Sequence, residues 1–379
     1  MAEIALHIVS FAIPDPPDYG GIIDVFYKIK CLSEAGVSIY LHCSQYDGRQ
    51  PSPILESWCK RVWYYPRKTG LHGLSWKYPY MVYSRRDEQL LLRLQQIDAP
   101  IFFDGLSTSY YASHPSLASR LKILRPQNVE QDYYRLLAKR TPHFFKKTYY
   151  TVEALLLARM EKKLEMMQAF FTVAQHDYDF FKVQYPLAAH EYMPSFQPYH
   201  QVTSLTGIGD YCLYHGNLSV AENEEAALFL LEQVFSKTTM KIVLAGKKPS
   251  AKIIQAAAAL PNCQLIANPD SSMMQQLIEQ AQVHVLPTFQ STGLKLKLLH
   301  ALYQGRHVLV NAAMLTGTGL ASICHIANDA PDFLAKINRL MQQPFDLPER
   351  EKRQQVLQQH YDNASNIQKL VRYLEQHRP

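Results

Sequence analysis

No apolar stretch in this chain approaches the roughly 18 residues a bilayer-spanning helix needs. The first residues, Met-Ala-Glu-Ile-Ala-Leu-His-Ile-Val, lack the basic start and long apolar core of a secretory leader. They read instead as a first buried strand, and a cytoplasmic location is expected. The 6 cysteines are scattered and none forms a Cys-x-x-Cys pair, which argues against structural zinc and for a reducing compartment. No Gly-x-Gly-x-x-Gly loop follows a strand, so nicotinamide-dependent hydride transfer is excluded. No Gly-x-Ser-x-Gly elbow marks a hydrolase. Low-complexity segments and short repeats are missing too.

What is present is ample core material. With 379 residues, 47% of them hydrophobic and 19% charged, the chain reads as a globular protein of two domains. Charge is unevenly placed. Between Arg135 and Lys163 stand eight basic residues and two acidic ones, an excess equal to the +6 of the whole chain. Phe144, Phe145, Tyr149 and Tyr150 are interleaved with them. Two readings stay open: a solvated helix face with its aromatics in the core, or a surface for peripheral contact with anionic lipid headgroups. No nucleic-acid-binding module accompanies the charge, so nucleic acid is not an expected partner.

The first half opens as a doubly wound parallel sheet: strand 4–11, a loop ending in Gly20 and Gly21, a helix with apolar residues at helical spacing, and a strand from Val37. Gly36 closes the helix as a C′ glycine. Strands follow at 62–65, 101–103, 121–124 and 169–173. Tyr185 to Gly209, punctuated by Pro186, Pro194, Pro198 and Gly207, reads as a linker. A second alternating run then begins with strand 212–215 and Gly216. Its helix is expected to be capped by Ser219 or Asn223. Strands at 242–245 and 264–267 follow. The most informative stretch is Leu286–Val310, where a strand ends at Pro287, a small polar loop leads into a helix near Gly293, and a strand returns after Gly305. A helix N-terminus at a strand's carboxyl end suits a phosphate, because its first N–H groups lack internal partners. Lys295 and Lys297 add positive charge there, and they point to different helix faces. Two such domains imply an α/β protein with a ligand in the cleft between them.

The order and spacing of several segments resemble the GT-B glycosyltransferases, in particular family 4-like (group 1) enzymes of bacterial polysaccharide pathways. The segments are Pro14–Gly21, Arg125-Pro-Gln-Asn-Val-Glu130, 157–163, Tyr214-His-Gly-Asn-Leu-Ser219, Ala245-Gly-Lys-Lys-Pro-Ser250, and Gly293-Leu-Lys-Leu-Lys297 with Ala301 and Gly305. The resemblance implies two Rossmann-like domains facing a cleft, an acceptor domain at 1–200 and a donor domain at 201–360. Residues 361–379 would form a C-terminal helix crossing back to the first domain. It further implies a nucleotide-sugar donor, a saccharide or lipid-linked acceptor, transfer without metal or other cofactor, and retention at the anomeric carbon. Donor cleavage leaves negative charge on a diphosphate, so fixed positive groups are needed there. The donor residues it implies are Gly216, Lys247, Lys252, Asn268, Thr292, Gly293, Leu294, Lys295 and His300. Gly20 and Gly21 match a pair lining the cleft from the acceptor side, while Asp104, Ser107, Asn128 and Glu130 occupy the catalytic region of the first domain.

The departures from the pattern are specific. Relatives commonly carry two glutamates eight residues apart where this chain has Thr292 and His300. His300 is open to two readings, a ribose hydrogen bond or a packed helix histidine. Ser107 stands where relatives often place a histidine, and Gln127 replaces another. A serine hydroxyl donates a hydrogen bond but does not titrate near neutrality as imidazole does. These substitutions leave a second expectation, a degenerate relative that binds a nucleotide sugar or a partner without turnover. Aromatics between Trp58 and Tyr83 read chiefly as packing residues, with an acceptor platform as the alternative.

Overall fold

The computed structural model describes residues 4–141, 143–289 and 296–377. Two compact units divide the chain, one running to Pro198 and regaining the segment from Asn363, the other running from Tyr199 to Asp362.

In the first unit, strands β1 (Ala5–Ser10), β2 (Ser38–Gln45), β3 (Arg61–Pro66), β4 (Ile101–Asp104), β5 (Lys122–Arg125), β6 (Ala169–Thr172) and β7 (Ala189–Tyr192) lie in the order β3-β2-β1-β4-β5-β6-β7. Every pairing is parallel. The central strands β4, β5 and β6 are buried at all four positions. Helices cover both faces of such a sheet, which is why these strands read as apolar runs without alternation. β7 was expected as linker. Its Ala-His-Glu-Tyr sequence is half-buried throughout, so an edge strand carries no apolar signal to read. The Asn363–Gln376 helix packs on the Gly20–Glu34 helix, sharing one apolar cluster through Ile367, Leu370, Leu374, Val25, Ile29 and Leu32. Lys369 Nζ donates to the Tyr192 carbonyl at 2.8 Å, tying the same helix to the β7 edge.

The second unit repeats the winding. Strands β8 (Cys212–Asn217), β9 (Ile242–Lys247), β10 (Cys263–Ala267), β11 (Val283–Val285), β12 (His307–Val310) and β13 (His325–Ile326) take the order β10-β9-β8-β11-β12-β13, again all parallel. Several helices start at side-chain caps: Ser250 accepts from Ile253 N, Asp270 from Met273 N, Asp329 from Asp332 N. The helix after β8 is different. It runs Ala221–Phe229 from Val220, so neither Ser219 nor Asn223 caps it. Asn223 lies within the first turn, and its amide donates to the Asn217 carbonyl at 2.9 Å.

A closed set of charges sits beneath the carboxyl ends of β4 and β5. Arg125 grips Asp24 through two parallel bonds of 2.8 and 2.7 Å. Lys28, one turn beyond Asp24, pairs with Asp24 at 3.3 Å and with Asp104. All four side chains are fully buried. Burial alone would raise the Asp24 pKa, but the Arg125 and Lys28 charges outweigh it and hold the carboxyl well below the usual range. Arg125 also donates to the carbonyls of Met193 (2.9 Å) and Pro194 (3.2 Å), and Asp24 accepts from Phe196 N at 2.8 Å. Removing one partner of a buried pair strands the other charge. Arg125→Ala is therefore expected to lower stability by about 3–5 kcal/mol, read from denaturant unfolding; a loss below ~1 kcal/mol would contradict this account.

Candidate functional site

The strand order reverses direction between β8 and β11, and a doubly wound sheet opens a crevice at such a point, at the carboxyl ends of its strands. Parallel register brings the donor candidates to that end. Gly216 lies opposite Gly246, and Asn217 opposite Lys247. Ala267 lies opposite Gly246, so Asn268 follows directly beside the same glycine. A Cβ on Gly246 would come within 2.0 Å of the Gly216 carbonyl oxygen, so only glycine lets the two strand ends approach. Lys247, beyond it, is exposed.

The Lys247 loop is built by Asn268. Its backbone N donates to the Gly246 carbonyl and its side-chain oxygen accepts from Lys248 N, both at 2.8 Å. Lys248 and Asn268 both hold positive φ, 50° and 53°. The Asn268 side-chain oxygen thus helps to shape the loop that carries Lys247.

Lys252 stands in the first turn of the helix that follows the Lys247 loop. It lies on the Ala251–Ala258 helix and lines a surface groove with Leu228, Leu231, Glu232 and Gln255.

Thr292, Gly293, Leu294 and Lys295 lie outside the described residues. The described chain continues with the helix Leu296–Gln304, whose first turn brings Lys297 into the group. Lys297 Nζ donates to Asn223 Oδ1 at 2.7 Å and rests 5.4 Å from the Tyr214 ring centre. Asn223 in turn holds the Asn217 carbonyl. Lys297, Asn223 and the Gly216 strand end thus form one connected set. The sequence marked Lys297 as positive charge at the helix start and Asn223 only as a cap candidate; their meeting is a tertiary contact.

His300 stands on the Leu296–Gln304 helix. Its ring stacks on Tyr199 at 5.2 Å, and Nε2 bonds the Gln304 side-chain oxygen at 2.7 Å. With Nε2–H donating, Nδ1 is left as an acceptor. Burial lowers its pKa to about 4, so the ring is neutral at pH 7. His215 lies edge-on to both His300 (6.0 Å) and His284 (5.9 Å). His215 Nε2 and His284 Nδ1 are buried without a hydrogen-bond partner. The loop after β11 is fixed by Asn311, whose side chain accepts from Thr288 N (3.0 Å) and donates to the Thr288 carbonyl (2.6 Å).

In the first unit the catalytic candidates lie in different surroundings. Asp104, expected in the catalytic region, is fully buried and faces Lys28 and the Gln127 amide (3.2 Å). It belongs to the internal ion set, because β4 ends one residue later than the apolar run showed. Ser107 follows on a 3-10 turn after Gly105, whose φ of 88° turns the chain away from β4. Gly20 begins the first helix and Gly21 lies against Phe11, where a Cβ would meet the ring at 3.0 Å. Asn128 is half-buried just before the Glu130–Arg140 helix.

Glu130 opens that helix among other acids. Burial, then the Glu161 and Asp177 charges, push its pKa up to about 8 against the pull of Arg85. Glu161 accepts from Gln131 N at 3.2 Å, and burial raises it to about 7. Acids raised above their ordinary 4.5 favour the fold while protonated. That contribution is full below about 4.5 and is lost as pH climbs to about 8. The buried histidines act on the acid side, since His215, His284 and His300 are all held neutral by burial and resist charging below 6.5. Stability should therefore peak near pH 6–7. Glu130→Gln should melt higher than the parent at pH 8 and flatten the alkaline decline; equal slopes in a melting-temperature series from pH 5 to 9 would refute the assignment.

Two doubly wound parallel sheets give the chain the GT-B fold. Residues 209–343, within the second unit, match the family described as Glycosyl transferases group 1. An uncharacterized 44.6 kDa protein of the cps region of Klebsiella pneumoniae is 24% identical over 342 residues, 84% of this chain and 85% of that one. Sucrose-phosphate synthase from Thermosynechococcus elongatus superposes with a TM-score of 0.70 at 12% identity, covering 99% of both chains. Anabaena HepE, solved with UDP and glucose, gives a TM-score of 0.64 at 10% identity over 99% of this chain and 100% of that one.

Proposed function

We propose that the protein transfers a hexosyl group from a nucleotide-sugar donor to a saccharide or lipid-linked acceptor, without a metal at the reacting atoms and with retention of anomeric configuration. The observation that carries this reading is the convergence of Gly216, Lys247 and Lys297 at the strand ends of a group 1 glycosyl transferase domain. Breaking the anomeric C–O bond puts negative charge on the departing diphosphate. Fixed ammonium groups stabilise that charge without waiting for water to reorganise. Lys247 is the exposed cation of the pair, and Lys297 is held in place by Asn223. The neutral His300 offers Nδ1 as an acceptor for a donor hydroxyl. On the acceptor side, Ser107, Asn128 and Glu130 remain the polar groups for orienting a hydroxyl, since Asp104 is committed to Lys28.

Thermal unfolding with a panel of UDP-, GDP- and other nucleotide sugars tests this reading, because a ligand of the native state raises the melting temperature. One base class should give a selective shift. Lys247→Ala and Lys297→Ala should each weaken it roughly 10–100-fold, the worth of one charge-assisted hydrogen bond. No shift with any nucleotide would reject the donor site. A shift without turnover would instead support a donor-binding protein that performs no transfer, a reading favoured by the enclosure of Asp104 and the absence of imidazole at Ser107.

We also propose that the Phe144–Glu161 helix meets an anionic membrane surface and so reaches a lipid-linked acceptor. Phe144 and Phe145 are 75% and 86% exposed, so they are not in the core, and Lys146 and Lys147 beside them are exposed too. Trp76, from the preceding aromatic stretch, is fully exposed. Aromatic and basic side chains presented together suit the headgroup region. The wild type should float with vesicles containing phosphatidylglycerol and not with neutral ones, and the F144S/F145S double variant should stay behind. Equal flotation of the variant would dismiss the surface.

A further inference from the structure

Three side chains from distant points of the second unit meet where no part of the donor site lies. His307 is the first residue of β12, His325 the first of β13, and Glu349 the third residue of the Leu347–Tyr361 helix. One ligand atom from each can be chosen so that all lie within 4.8 Å of one another. The donor residues cluster at the carboxyl ends of the strands, whereas both histidines stand at amino ends.

The orientation of each group is set from behind. His307 Nε2 donates to the Gln343 carbonyl at 2.9 Å, which leaves Nδ1 as the nitrogen with a free lone pair. Metal-bound histidines are commonly held in this way, with the second ring nitrogen bonded to a carbonyl. That Nδ1 lies 3.3 Å from His325 Nε2. The spacing is long for a hydrogen bond, whose usual range centres near 2.9 Å. It matches two nitrogens bound at roughly 2.0–2.1 Å on a tetrahedral zinc, which fall about 3.3 Å apart. The third group supplies the charge. Glu349 Oε2 is buried without a hydrogen-bond partner. Helix capping does not occupy it, because the Asp346 cap uses the Glu349 backbone N at 2.9 Å. A buried carboxylate oxygen without a partner is costly unless something cationic meets it.

We infer that His307 Nδ1, His325 Nε2 and Glu349 Oε2 form a zinc site that fastens the Leu347–Tyr361 helix to the β12–β13 edge. Two imidazoles and one carboxylate select zinc or a neighbouring transition metal over calcium or magnesium. Three protein ligands leave a fourth position for water. The opposing influence is nearby positive charge. Arg306 and Arg353 act on His307, and Arg339, Arg353 and Lys336 act on His325. Arg353 is fixed on the carbonyls of Leu302, Gly305 and Arg306, so it is held near the histidines without bonding Glu349 Oε2. These cations weaken the site relative to one in neutral surroundings. The absence of Cys-x-x-Cys pairs does not bear on it, since no thiolate takes part.

Chelator-stripped full-length protein should be dialysed against zinc chloride and its metal content measured per chain, with cobalt(II) absorbance as a second readout. One zinc per chain is expected, with the intense visible bands of tetrahedral cobalt and a zinc-dependent rise in melting temperature. His325→Ala and Glu349→Gln should each weaken binding about tenfold or more. Glu349→Gln keeps the helix cap, so its metal-free melting temperature should match the parent and separate lost binding from lost folding. Failure to reach one zinc per chain, or full zinc affinity in Glu349→Gln, would overturn the inference. Nucleotide-sugar binding is not part of the readout, so this result and that of the donor site are independent.

Discussion

The bidentate contact between Arg125 and Asp24 organises the first unit. It joins the first helix to the end of β5, and through the carbonyls of Met193 and Pro194 it anchors the segment that follows β7. Lys28 and Asp104 extend it beneath β4. Two positive and two negative groups share a space closed to water, and each charge is tolerable only because the others are present. The arrangement explains why Asp104 is internal although it stands at a strand end, where exposed functional groups are usually found. It also fixes the base on which Gly105, Ser107 and Gln127 turn.

The second unit is held differently. Close backbone approach replaces ion pairing at the carboxyl ends of its strands. Gly246 lets β8 and β9 converge, and Gly305 leaves room for His284, whose ring a Cβ there would overlap. Polar side chains then stitch the loops: Asn268 on the Lys247 turn, Asn223 between Asn217 and Lys297, Asn311 on Thr288. Amides suit this work because each both donates and accepts without adding charge near a site that gathers lysines. The same winding therefore yields a charge-neutralised interior in one unit and a cationic strand edge in the other, and the second suits an anionic ligand.

Much of this architecture was legible in the chain. Apolar runs separated by helical periodicity gave both doubly wound sheets, because strands buried on two faces cannot alternate and helices covering them must. The glycines at 216 and 246 and the lysine at 247 were visible as residues at strand ends. β7 and β13 were not, since half-buried or two-residue edge strands bury too little to need an apolar pattern.

Tertiary structure alone decided which polar residues are functional candidates and which are structural. Asp104 and Lys28 are 76 positions apart, and His307, His325 and Glu349 come from three separate elements. Local spacing is silent about such meetings because side-chain direction across a sheet depends on register and on the helices above it. The sequence determined the fold class and the glycines and lysine that stand at the strand ends, since periodicity and glycine placement act over a few residues. Packing determined whether each charge there is sealed inside, capped by a neighbour or left facing outward, because burial and pairing are properties of the assembled chain.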